Sequence, residues 1–452
     1  MDNLHIGLIA CCIILQSTVW AATNACPSNI CQCRELEIAS RLETEVICNI
    51  GDNKGYVPVL KSFNQPISSL YLSRIELTRL GNLTFQRLSS VRELYLNDND
   101  LIRIEARAFT GIDSTIELLD LQHNRLRNLK FLTTHNFAQL RTLLLRDNQL
   151  TAITPGSLSL LPALETLNLD ENKLSGRLDF LQQPSLKSLA DINLDANRFT
   201  EIVPEDFVFI NNLRSLLVNR NQLQDINFLS HPKFAQLQGF SAAYNNLDDV
   251  NQTLFSNKNL LKWIDLTGNR LTNADFLSMC SLKRLEEVYL SYNRIPYLPL
   301  DSFQATNTLS IFAIDNNLLQ TLPRCALLRF YPRMQHFDIS NNPMQCNCSL
   351  SWLQSPHDIS TDRHSECANI EFTTTDTYQT HQCGDPPACL TNNSCDPAMS
   401  YKYVDYESLT SLANIKLEHK TLVSENPSAG YREAASLTIV ILSAYSAILF
   451  PS

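Results

Sequence analysis

The side chains best equipped for chemistry in this chain are its 14 cysteines, eight of which fall into two groups. CPSNICQCRELEIASRLETEVIC holds Cys26, Cys31, Cys33 and Cys48, and NPMQCNCSLSWL opens a second set of Cys346, Cys348, Cys367 and Cys383. A C-x-C pair can close disulfides or ligate zinc, and the secretory start described below favours disulfides. Asp170, Glu171, Asp191 and Asp195 form an acidic group. Trp263, Tyr289, Tyr244, Tyr292 and Ile311 form an aromatic and apolar one. Neither group has the partners that catalysis needs. The chain carries no G-x-S-x-G, no H-E-x-x-H and no glycine loop to cradle a phosphate, and its nine histidines make no spaced pair. An enzyme is not expected, nor a metal or cofactor.

The elements that would position these groups follow from composition and period. The 452 residues are 44% hydrophobic and 18% charged, enough to bury a sizeable core. A net charge of −10 without any Lys/Arg run argues against nucleic acid or an anionic membrane face as the main partner. MDNLHIGLIACCIILQSTVWAA reads as a secretory signal over residues 1–21, with Val19 and Ala21 at the cleavage positions, although it has no basic residue. Near the other end, the apolar run from Leu437 to Phe450 is short for a membrane span and no basic residue follows it. Ser428, Ala429 and Gly430 precede a polar spacer, the order of a GPI-attachment signal. Ser428 is the expected attachment residue, with Ser424 and Asn426 as alternatives, and 429–452 the propeptide. Sequons at Asn82, Asn251, Asn347 and Asn392 suit an extracellular address if exposed.

One grammar, L-x-x-L-x-L-x-x-N-x-L, recurs from VRELYLNDNDL (91–101) through LKWIDLTGNRL (261–271) to MQHFDISNNPM (334–344). Its asparagines fall at 99, 124, 148, 172, 197, 221, 245, 269, 293, 317 and 342, always 24 or 25 residues apart. In L-x-L both leucines of a short strand point inward and the flanking residues outward. The asparagine column can satisfy backbone groups buried at the following turn. Phe109, Phe137 and Leu161 belong to a second apolar set on the convex side. ISSLYLSRIEL (67–77) has Ile75 in place of the asparagine, as a terminal unit can. Trp263 then falls in an outward column, and the aromatic set becomes a patch on the sheet face. Cys280 and Cys325 come out two repeats apart, roughly 10 Å at ~4.8 Å per strand, too far to bridge each other. Cys280 is expected to pack as a small buried hydrophobe. Cys389 and Cys395 could pair together, or one could reach Cys325.

The eleven matches in register resemble the extracellular leucine-rich-repeat family over residues 67–344. The resemblance implies a horseshoe of the α/β type, with a parallel concave sheet of about a dozen repeats. The cysteine groups look like the family's N-terminal and C-terminal caps, as in Slit, Toll and the Nogo receptor. That likeness implies Cys26–Cys33, Cys31–Cys48, Cys346–Cys367 and Cys348–Cys383, with Trp352 packed on the last repeat, although four cysteines allow three patterns. The expected organisation is a cap at 22–66, repeats at 67–344, a cap at 345–398 and a stalk at 399–428. The whole order resembles the Nogo receptor, connectin and chaoptin group. By that resemblance the chain is a GPI-anchored cell-surface module, adhesive or receptor-like, holding a protein partner on its concave sheet. A secreted or shed immune or inhibitory binder and a homophilic adhesion molecule are the alternatives.

Overall fold

The computed structural model describes residues 31–38, 41–48, 65–345 and 350. Strands Cys31–Ile38 and Arg41–Cys48 pair antiparallel, and the second pairs in parallel with Ile67–Tyr71. From there each repeat adds one parallel strand in chain order, ending at His336–Asp338, to make a 14-stranded sheet. The order follows from the repeat: each unit returns along the opposite side and starts its next strand beside the last.

Most repeat strands are three residues long, with a buried middle residue and its neighbours facing out. Leu143, Leu167, Ile192 and Leu216 are 0–1% exposed, whereas Thr142, Leu144, Thr166 and Asn168 are half-buried. The expected register therefore holds. Burial at roughly 1.5–3 kcal/mol for each such side chain makes a one-residue slip untenable, because it would turn every leucine outward.

The asparagine ladder lies inside, all its members between 3% and 8% exposed. Asn172 donates from Nδ2 to the carbonyls of Leu145 (3.0 Å) and Leu169 (3.1 Å), and its Oδ1 accepts from the Leu150 N–H at 3.1 Å. Asn245 repeats the pattern on Val218, Ala242 and Leu223. At the start of the ladder, Asn99 accepts from the N–H groups of both Leu77 and Ile75. Ile75 itself is buried, so the terminal unit substitutes packing for a polar side chain.

The return side carries short 3-10 segments such as Lys130–Thr134, Pro204–Phe207 and Gln252–Phe255, and one α-helical turn, Arg324–Leu327. A repeat this short leaves too few residues for a longer helix. Phe109, Phe137 and Leu161 are fully buried there, the two rings 5.5 Å apart and edge-on.

The cysteines give one agreement and one correction. Cys31 and Cys48 are joined by a disulfide that closes the first hairpin, and Cys33 is also disulfide-bonded. Its expected partner Cys26 lies outside the described residues, as do Cys346, Cys348, Cys367, Cys383, Cys389, Cys395 and Trp352. Cys280, expected to be an inert buried thiol, is disulfide-bonded and only half-buried, and the exposed Cys325 is also bonded. The sequence estimate counted strand spacing alone, which does not fix where the return segments carry their side chains. Residues 1–21, 399–428 and 429–452, with Ser428, Ser424, Asn426, Asn347 and Asn392, lie outside the described residues too.

Candidate functional site

The outward residues of the sheet form three columns, one on each side of the buried strand centre and one just past the strand end. The central column has a local reason for its Asp and Asn. Asp120, Asn168, Asn193, Asp265 and Asp338 each accept, through Oδ1, the N–H two residues on, at 2.9–3.0 Å. Such an Asx turn ends a strand after three residues.

Trp263 occupies the first column beside Gly239 on one strand and Glu287 on the other. A Cβ placed on Gly239 would lie 2.1 Å from Trp263 Cε2. The indole therefore lies flat over a neighbour that has no side chain. It is half-buried, not core. Gly239 was not among the expected site residues, though a glycine in an outward column that elsewhere carries side chains is a sign of close approach.

Glu287 stands between Trp263 and Ile311 in that column, so the patch is aromatic and acidic together. Tyr289, beside Asp265 in the second column, donates its hydroxyl to Glu287 Oε2 at 2.9 Å. Glu93 and Tyr95 repeat this Glu-x-Tyr arrangement at 3.1 Å, and Tyr95 stacks on Tyr71 with centroids 4.6 Å apart. Tyr71 was missed because its unit was read only as an end piece. Burial and the Glu93 charge push the Tyr95 hydroxyl well above its ordinary pKa.

Tyr244 and Tyr292 are placed differently. Both have positive φ (54° and 56°) and sit immediately before a ladder asparagine, at the lip of the sheet. The Tyr244 ring covers Gly268, whose added Cβ would meet Cδ1 at 2.4 Å, and the Arg220 guanidinium lies over the ring, 5.8 Å from its centroid. Tyr292 is 53% exposed. Trp263, Tyr289 and Ile311 thus share the sheet face, with the two lip tyrosines flanking it.

The acidic group is tied to Arg146. Its Nη2 reaches Glu171 Oε1 at 2.6 Å, and its Nε lies 3.4 Å from Asp170 Oδ2. Burial raises the Asp170 carboxyl to about 6 against the pull of Arg146. Asp195 is pushed up to about 8, first by desolvation and then by the charge of Asp170. Hydrogen bonds to its carboxylate from Asn219 N (2.6 Å) and Nδ2 (3.0 Å) oppose that rise. Burial also raises Asp191, in the first column, while Arg214 opposes it. Asp170, Asp191 and Asp195 face outward; Glu171 is a lip residue at φ 53°.

Asn82 and Asn251 are exposed. Asn82 accepts from the Arg107 N–H, and Asn251 caps a 3-10 segment by accepting from Thr253 N and Oγ1.

A leucine rich repeat family model matches residues 65–126 and 114–174. Leucine-rich repeat-containing protein 3 of Danio rerio is 30% identical over 105 residues, 23% of this chain and 36% of that protein. Leucine-rich repeat-containing protein 3B of Homo sapiens is 27% identical over 126 residues, 27% of this chain and 45% of that protein. The chain therefore spans less than half the length of either relative. Among solved structures, an LRR protein of Leptospira interrogans superposes with a TM-score of 0.54 at 22% identity, over 64% of this chain and 76% of that one. That is a likeness of fold. The ladder, the strand register and these matches together identify the chain as a leucine-rich-repeat solenoid whose first hairpin is closed by a disulfide.

Proposed function

We propose that the chain is an extracellular recognition protein, adhesive or receptor-like, that holds a protein partner on the outward face of its sheet. Trp263, Tyr289 and Ile311 are the anchors, flanked by Tyr244 and Tyr292, and the acidic group of Asp170, Glu171, Asp191 and Asp195 is a secondary contact. The observation that carries this reading is the seat of Trp263. A large ring laid over a glycine keeps one face available at a fixed place, which is how interface anchors limit the entropy lost on binding. Disulfide-bonded Cys31, Cys33, Cys48, Cys280 and Cys325 support an oxidising, extracellular setting. Attachment through a GPI lipid at Ser428 is the tether we favour over a secreted or shed form. Glycans at Asn82 and Asn251 would sit on exposed side chains clear of the anchors.

Three measurements test this. Phosphatidylinositol-specific phospholipase should release the protein from cells; retention after treatment counts against the lipid tether. Cell-surface proteins captured by proximity labelling with the wild-type chain should be lost with Trp263→Asp. A capture set unchanged by that substitution would remove the sheet face as the contact. Aggregation of cells that all express the chain, abolished by the same substitution, would make the partner a second copy.

A further inference from the structure

This inference rests on the sheet-face reading above and concerns the chemistry of the partner. The three outward columns are charged almost entirely with one sign. The first carries Glu93, Asp191 and Glu287, the second Asp120, Asp265 and Asp338, and the third Asp170, Asp195 and Asp315. Arg146 is the one Lys or Arg in those columns across the repeats. Several of these carboxylates already have hydrogen bonds, from neutral donors. Asp195 accepts from Asn219, Asp265 from the Thr267 N–H, and Asp315 from Ser291 Oγ and Asn316 Nδ2. These donors meet part of the hydrogen-bonding need and bring no positive charge; Asp195, pushed up to about 8, is mainly protonated at pH 7 and adds little charge to the face.

Their desolvation is also far advanced. Strands at ~4.8 Å spacing crowd each outward side chain between its neighbours, and Asp120, Asp170, Asp265 and Glu287 are only 6–8% exposed. Burial accordingly raises the carboxyl groups of Asp120, Asp170, Asp195, Asp265 and Asp315 above their ordinary range. Any protein that covers this face removes the water that remains. A neutral or acidic surface would remove that last water without compensating the buried carboxylates. A basic surface offsets the loss and is steered in by the same field.

We propose that the partner presents a basic segment, with Arg or Lys side chains that descend between the aromatic rings and the carboxylates of this face. The surroundings of Trp263 fit a guanidinium in particular. The exposed side of the indole offers a cation–π contact, and Glu287, the next residue in the column, offers a charge-assisted hydrogen bond. The molecule already uses the first of these contacts at its lip, where Arg220 lies over the Tyr244 ring.

The test is selection of displayed random 16-residue peptides on the purified full chain, in parallel with Trp263→Asp and with the double variant Glu287→Gln/Asp315→Asn. Both carboxamides keep a hydrogen-bond acceptor and remove charge, and circular dichroism checks that each variant is folded. The expected result is a pool enriched in Arg and Lys whose binding falls at least tenfold on the double variant and weakens with added salt. A pool that depends on Trp263 but is neutral or acidic, or is indifferent to the double variant, overturns the basic-partner inference and leaves the sheet-face reading standing. A pool indifferent to Trp263→Asp, or no enrichment at all, overturns both.

Discussion

Asn221 shows what a single ladder position carries. Its Nδ2 donates to the carbonyls of Leu194, Val218 and Asn219, and its Oδ1 accepts from the Phe199 N–H at 3.0 Å. Asn221→Ala would strand backbone groups of two repeats in a place water does not reach. At ~1–3 kcal/mol for each unsatisfied buried group, the loss should exceed about 3 kcal/mol in urea unfolding. A loss below about 1 kcal/mol would mean that the ladder is dispensable. At the same scale, Gly239→Ala tests the seat of Trp263. The added methyl would fall 2.1 Å from Cε2, so the indole must lift off the sheet. Tryptophan emission should shift to the red with little change in far-ultraviolet circular dichroism. Unchanged emission would show that the ring does not rest there.

At the scale of elements, the strands were legible in the sequence because both inward leucines and the asparagine recur at a fixed step. The turn between strand and asparagine was not. It places residues as different as Asp98, His123, Ala196, Arg220, Tyr244 and Tyr292 at positive φ. Left-handed backbone costs about 1–2 kcal/mol for such residues. The cost is met by a bond to the next repeat, as when Arg220 N–H donates to Ala243 O at 2.8 Å and Tyr244 N–H to Thr267 O at 2.7 Å. Since the stack imposes the conformation, almost any side chain can occupy the position, and composition gives no sign of it. Tyr244 and Tyr292 were therefore found as outward residues without being distinguished from the columns. The return segments hid Lys258 in a similar way. It is 1% exposed, and its Nζ donates to the Leu229 carbonyl of the preceding repeat at 2.6 Å and to Asn257 Oδ1. Burial lowers its pKa to about 8, below the ~10.4 of an unfolded lysine. Between those values the unfolded chain holds more protons, so this lysine should make stability rise as pH climbs from 8 to 10, by about 2 kcal/mol. Lys258→Met should lack that rise in urea unfolding. An identical slope in both proteins would remove Lys258 as its source.

At the scale of the whole molecule, the acidic face makes stability depend on pH in the opposite sense. Asp170 is raised to about 6 and Asp195 to about 8, whereas both titrate near 3.9 in an unfolded chain. From pH 4 upward the folded state therefore binds more protons than the unfolded one, and unfolding releases them. The contribution of these groups is complete below pH 4 and is lost as pH rises through 6 and then 8. The two hydrogen bonds from Asn219, which favour the charged form, are already reflected in the value for Asp195, and the loss there is on the order of 4 kcal/mol between pH 5 and pH 8. Asp195→Asn separates this effect from simple packing. The carboxamide gives up one of the bonds from Asn219, so the variant should be less stable by about 1 kcal/mol at pH 5, yet its decline toward pH 8 should be clearly shallower than that of the wild type. The slope is the measurement that matters, taken from urea unfolding at half-unit steps. Parallel curves for the two proteins would mean that Asp195 titrates as an ordinary surface carboxylate. Residue 195 would then carry its negative charge at every pH above 5, and a basic partner would bind with no proton uptake or release there.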